Sequence, residues 1–93
     1  MLESLWYGTD ACVERIKAKD VSLLIVCEDA SLNTKEKMKR LSEEYNIPLL
    51  FYEKIENLSR AIGKINKAVF AVIEKGFADT IIKLINESKE AIN

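Results

Sequence analysis

The run Val21-Ser22-Leu23-Leu24-Ile25-Val26-Cys27 followed by Glu28-Asp29-Ala30-Ser31 decides the fold class. From Val21 to Cys27 only Ser22 is polar, most side chains are branched, and the run stops at two carboxylates. A strand with one wet face alternates polar and apolar residues. A run without alternation is how a strand covered on both faces reads, and such a strand needs helices above and below it.

Working toward the C-terminus, Asn33 with Glu36 has capping-box spacing for a helix. Met38, Leu41 and Tyr45 form its inward side and Lys35, Lys37, Lys39 and Arg40 lie largely outside it. Asn46-Ile47-Pro48 ends that helix and leads into a second buried strand, Leu49 to Tyr52. Ile55, Leu58 and Ile62 keep helical spacing, and Gly63 sits where a left-handed residue closes a helix. Ala68 to Ile73 is another apolar strand, and Glu74-Lys75-Gly76 turns into a last helix with Phe77, Ile81, Leu84 and Ile85 inward.

Toward the N-terminus, Leu5-Trp6-Tyr7 reads as a brief strand ended by Gly8. Thr9 or Asp10 then caps a helix to about Lys19 with Cys12, Val13 and Ile16 on one side. The alternation predicts one domain over residues 1–93: an α/β fold, a three-layer α/β/α sandwich around a short mixed sheet of about four strands.

Composition narrows the function classes. The chain has 93 residues, two cysteines outside any CxxC pair and no histidine. That removes most zinc sites, Ser-His-Asp triads and Cys-His pairs, so no enzyme activity, metal or cofactor is expected. Cys12 and Cys27 read as buried thiols in a reducing compartment. Without a signal peptide or an apolar run long enough to span a bilayer, the reading is cytoplasmic, with no membrane partner.

Net charge is −1, but it is unevenly spread. Residues 1–30 carry three basic and six acidic side chains, residues 31–67 eight and five, and residues 68–93 three and four. A footprint for an anionic partner therefore belongs in the middle third. A solvated helix face fits the same count.

Three segments taken together are more specific. They are Leu23-Leu24-Ile25-Val26-Cys27-Glu28-Asp29-Ala30-Ser31 with Asn33-Thr34-Lys35; Leu58-Ser59-Arg60-Ala61-Ile62-Gly63-Lys64; and Ala68-Val69-Phe70-Ala71-Val72-Ile73 leading into Gly76-Phe77-Ala78. In this order the chain resembles, over about residues 8–86, the bacterial YlxQ-like branch of the kink-turn RNA-binding ribosomal protein superfamily. The resemblance implies a sheet flanked by helices with RNA bound at one end. Three elements meet there: the start of the first helix, the loop after the Glu28-Asp29 strand end, and the loop after Gly63. It points to Gly8, Thr9, Asp10, Glu28, Asp29, Arg60, Gly63, Lys64, Asn66, Lys67 and Ala68 as RNA-binding residues.

The chain also departs from the family. Where kink-turn specialists open the first helix with Gly, then Asn, Glu and, a turn later, Lys, this sequence has Gly8, Asp10, Ala11 and Glu14. Asp lacks the amide donors of Asn and Ala has no polar group, which shifts the expected weight of binding to Lys64 and Lys67. Only seven residues precede Gly8, where the family usually has a further helix. Apolar surface near Leu5 and Trp6 is therefore expected to lie open and to favour a weak homo-oligomer. Two functions follow: a non-enzymatic, ribosome-associated protein recognising structured, kink-turn-like RNA, or a protein–protein interaction module that kept the fold and lost RNA binding.

Overall fold

The computed structural model describes residues 5–92, with side chains through Glu87. Its elements run β1 (Leu5–Tyr7), α1 (Thr9–Lys17), β2 (Leu23–Val26), α2 (Leu32–Glu44), β3 (Leu49–Phe51), α3 (Ile55–Ala61), β4 (Val69–Val72) and α4 (Lys75–Ile92). The sheet order is β1-β4-β2-β3. β4 pairs antiparallel with both β1 and β2, while β2 and β3 are parallel. This is the three-layer α/β/α sandwich with a four-stranded mixed sheet that the alternation predicts.

The two central strands are buried at every residue, and period-2 geometry divides their side chains between two cores. Leu24, Val26, Val69 and Ala71 face α1 and α2, meeting Cys12, Ile16, Met38 and Leu41. Leu23, Ile25, Phe70 and Val72 face α3 and α4, with Ala78, Leu58, Ile62 and Ile81 packed over them.

Four local expectations are corrected. Neither Thr9 nor Asp10 caps α1. Gly8 is the N-cap residue, with φ +91° and no side-chain cap bond, and the helix stops at Lys17. Ser31, not Asn33, caps α2, its Oγ accepting from the Thr34 N–H at 3.2 Å; the turn after Asp29 reaches helical geometry two residues earlier than the Asn33–Glu36 spacing suggests. β3 is not fully buried, because it is an edge strand, and Phe51 is exposed. Among the described residues of α4, Ala78 and Ile85 are the buried ones, whereas Phe77 and Leu84 are 43% and 60% exposed. Their stripe overhangs an apolar groove of about 280 Å³ between α3 and α4, floored by Ile25 and Phe70 and reached by Leu5. Trp6 is also exposed, with the Arg15 guanidinium 5.0 Å from its ring centroid and Arg15 ion-paired to Asp20.

Both cysteines are buried and free. The Cys12 Sγ lies within reach of the Trp6 and Val69 carbonyl oxygens, and burial pushes its thiol from about 9 up to about 12. Burial, then the carboxylates of Asp29, Glu53 and Glu28, pushes Cys27 up to about 11. Thiols so shifted are poor nucleophiles. The sign for stability follows. A folded-state value above the unfolded one leaves stability intact below pH 9 and removes it as pH rises past 9, where unfolded thiols ionise and native ones do not. Denaturation midpoints are expected to fall between pH 9 and 11, and the fall should be shallower in Cys12→Ala. An equally steep fall in that variant would show that the thiol is not involved.

Candidate nucleic-acid interface

Strand direction gathers the predicted residues. Val26 pairs with Val69, Tyr7 with Phe70, and Val26 with Phe51. The ends of β1, β2 and β3 and the start of β4 therefore lie at the same rim of the sheet. Gly8, Glu28, Asp29 and the loop leading into β4 issue from that rim, together with the start of α3.

Backbone bonds tie these segments together. The Gly8 N–H donates to the Val69 carbonyl at 3.0 Å, Cys27 N–H to Ala68 at 2.9 Å, and Glu28 N–H to Glu53 at 2.8 Å. The positive φ at Gly8 lets the chain leave β1 and enter α1 in a single residue. A side chain there would be strained although nothing lies within 4 Å to obstruct it. Thr9 and Asp10 follow in the first turn of α1, Asp10 exposed.

Asp29 caps a helix, as carboxylates near helix starts do, but the helix is α3 rather than the one that follows it in sequence. Its Oδ1 accepts from the Ile55 N–H at 2.8 Å. This clips the strand-end loop to the segment carrying Arg60 and Gly63. Gly63 closes α3 at φ +72°, with its N–H donating to the Arg60 carbonyl at 3.0 Å.

The loop from Gly63 to Ala68 is shaped by one side chain. Ser59 is 1% exposed, and its Oγ accepts from the Lys67 N–H at 2.8 Å and donates to the Lys67 carbonyl at 3.1 Å. The Lys64 N–H donates to the Ser59 carbonyl at 2.8 Å, and Asn66 turns the chain at φ +60°. A cleft of about 610 Å³ opens beside this loop, lined by Asp29, Arg60, Gly63, Lys64, Ile65 and Asn66. Arg60 is ion-paired to Glu56 at 3.0 Å on its exposed flank.

The Lys64 and Lys67 ammoniums stand 5.5 and 5.6 Å from the centroid of the Tyr7 ring. On one side of the rim, where β1 meets the last loop, two ammoniums gather; Glu28 and Glu53 follow β2 and β3, and Asp29 lines the cleft together with Lys64 and Arg60. Donors and ammonium groups on the first side suit phosphate oxygens, and an exposed apolar Ile65 beside the cleft suits an unstacked base.

The structure brings Asp29, Arg60, Gly63, Lys64 and Asn66 to one cleft, with Lys67 and Gly8 at its neighbouring strand ends. Asp10 and Glu28 are exposed and outside the cleft lining. From the sequence, Tyr7 reads with Trp6 as core or interface cover rather than as part of the site, and Ser59, Glu53 and Ile65 have no assigned role. Ser59 carried a signal nonetheless: it is a polar residue on the inward stripe of α3, four after Ile55 and three before Ile62.

The chain is similar to known proteins over most of its length. The model of the ribosomal protein L7Ae/L30e/S12e/Gadd45 family matches residues 2–82. The RNA-binding protein YlxQ of Bacillus subtilis (strain 168) is 35% identical over 82 residues, 85% of this chain and 79% of that protein. The RNA-binding protein YlxQ of Enterococcus faecium is 32% identical over 78 residues, 84% of this chain and 75% of that protein. A solved structure of a protein with unknown function from Bacillus halodurans C superposes with a TM-score of 0.85 at 31% identity, covering 90% of this chain and 85% of that one.

Proposed function

Because the chain belongs to the ribosomal protein L7Ae/L30e/S12e/Gadd45 family, we infer that it is a non-enzymatic RNA-binding protein that uses the rim between Gly8 and the Gly63–Ala68 loop. The observation that carries this reading is the pair of lysine ammoniums held at the rim beside a cleft of about 610 Å³. Phosphate contacts supply affinity and register, and splayed bases supply sequence. The RNA is structured, with a kink-turn-like bend that brings two backbone stretches to one protein edge, and the setting is cytoplasmic and ribosome-associated.

α1 contributes less than in kink-turn specialists. Its first turn has N–H groups that attract phosphate, but Asp10 in that turn and Glu14 in the next repel it. Glu14→Lys is therefore expected to tighten RNA binding several-fold and to steepen its salt dependence by about 0.7–0.9. Unchanged affinity and slope would remove α1 from the interface. Replacing both Cys12 and Cys27 with Ala should leave the affinity of the folded protein unchanged.

Gel-shift titration against a kink-turn RNA, another structured RNA and a duplex, at two salt concentrations, tests the function. A preference for the kink-turn RNA is expected. Binding no tighter than roughly 10⁻⁴–10⁻⁶ M for all three, the range of non-specific association, would favour the second reading, an interaction module. One observation speaks for that reading: the apolar groove of α3 and α4 with Phe77 and Leu84 exposed on it. Weak self-association through the surface near Leu5 and Trp6, read by sedimentation over a dilution series, belongs to both readings. A monomer at every concentration would exclude it.

A further inference from the structure

Tyr7 lies at the end of β1, and Leu5 and Tyr7 pack with the α3/α4 core while its ring meets the last loop. Both lysine ammoniums address this one ring, at nearly equal distances, so their separation cannot exceed those two distances laid end to end. Exposed lysine side chains normally disperse to stay apart and fully hydrated. Here the loop backbone and the ring oppose that tendency. Ser59 fixes the backbone of Lys67 on both sides, the Lys64 N–H is held by the Ser59 carbonyl, and the π face attracts both cations. Gathered like charges lower the energy of an anion placed between them.

We propose that Tyr7 is the positioning residue of a two-lysine clamp, Lys64–Tyr7–Lys67, whose ligand is the phosphodiester backbone. The proposal rests on the RNA reading above and names the atoms that meet the phosphate. The Tyr7 ring itself touches no ligand. It acts by holding two ammonium groups within reach of neighbouring phosphates of one strand. The clamp accounts for how a chain with Asp10, Ala11 and Glu14 on α1 holds a polyanion: the charge lost from the helix is concentrated one strand away.

The test uses the full chain, its Tyr7→Phe, Tyr7→Leu and Lys64→Ala/Lys67→Ala variants, and two probes. The first probe is inorganic pyrophosphate, followed by NMR at the Tyr7 ring protons and the lysine side-chain methylenes. Pyrophosphate should shift these signals together in the parent and in Tyr7→Phe, which keeps the ring. It should leave the Lys64 and Lys67 signals nearly unmoved in Tyr7→Leu, and the Tyr7 signals unmoved in the double alanine variant, whose substitutions, one exposed and one half-buried, empty no core. The second probe is a kink-turn RNA across a salt series. Tyr7→Leu should weaken binding about tenfold, the cost of ordering two lysine side chains that the ring no longer holds in place, and should reduce the salt slope. In the double alanine background Tyr7→Leu should have no further effect. A Tyr7→Leu loss of the same size in that background would mean that the ring contacts RNA directly, which overturns the positioning role. Pyrophosphate shifts that are absent from the parent, or equal in Tyr7→Leu, overturn the clamp whatever the RNA result. Pyrophosphate shifts as expected with no RNA binding uphold the clamp and refute the RNA reading alone.

Discussion

Lys64→Ala combined with Lys67→Ala is expected to weaken binding of a structured RNA by roughly 10- to 100-fold and to flatten its salt dependence by about 1.4–1.8, one increment of 0.7–0.9 for each phosphate no longer neutralised. The affinity range follows from charge-assisted hydrogen bonds discounted for exposure. Lys64 is exposed and Lys67 half-buried, so neither substitution empties a core and the thermal midpoint should barely move. Fluorescence anisotropy at about 50 and 200 mM salt, a span over which phosphate-dependent binding changes steeply, separates this outcome from a loss of fold. A double variant that binds like the parent, with Asp10→Ala abolishing binding, would relocate the interface to α1.

Ser59→Ala is expected to produce the largest change in stability. Its hydroxyl is buried and serves two backbone groups of Lys67, one as acceptor and one as donor. Removing it leaves a buried N–H and a carbonyl without that partner, a loss of about 1–3 kcal/mol. For a domain of this size that lowers the thermal midpoint by roughly 4–24 °C. Because the same bonds shape the loop carrying both lysines, RNA affinity of the folded fraction should fall as well, and exchange of the Lys67 amide proton should accelerate. Circular dichroism melting and hydrogen exchange check the two parts. A midpoint equal to the parent's would show that Ser59 is not a structural tie.

The layers and the sheet were legible in the chain because burial on both faces leaves a compositional mark: Leu23–Val26 and Val69–Val72 read as covered strands and are buried throughout. The left-handed closure at Gly63 was legible for a similarly local reason. What periodicity could not supply was which partner each turn residue meets. Asp29 reaches forward to Ile55, and no local pattern announces a cap supplied from a distant loop. The outward position of Phe77 and Leu84 was missed because a helical stripe tells which residues share a side, not whether a neighbouring element covers that side fully. At the site, the lysines and Gly63 were visible as a small, basic segment. Tyr7 was not, because its proximity to them follows from the pairing of β1 with β4, a long-range contact.

That pairing also sets a schedule. Leu5 is in register with Val72 and Tyr7 with Phe70, so β1 waits for β4, the last of the described strands to be made. Closing so long a loop is entropically slow compared with forming the adjacent helices, and synthesis proceeds at only about 5–20 residues per second. Until β4 emerges, Tyr7 and Gly8 have no counterpart, and the Val69 carbonyl that receives the Gly8 N–H does not yet exist in the nascent chain. The side of the rim formed by Tyr7, Gly8 and the last loop is consequently completed only once β4 has been made, whereas the Glu28–Glu53 and Asp29–Ile55 bonds join segments that precede β4.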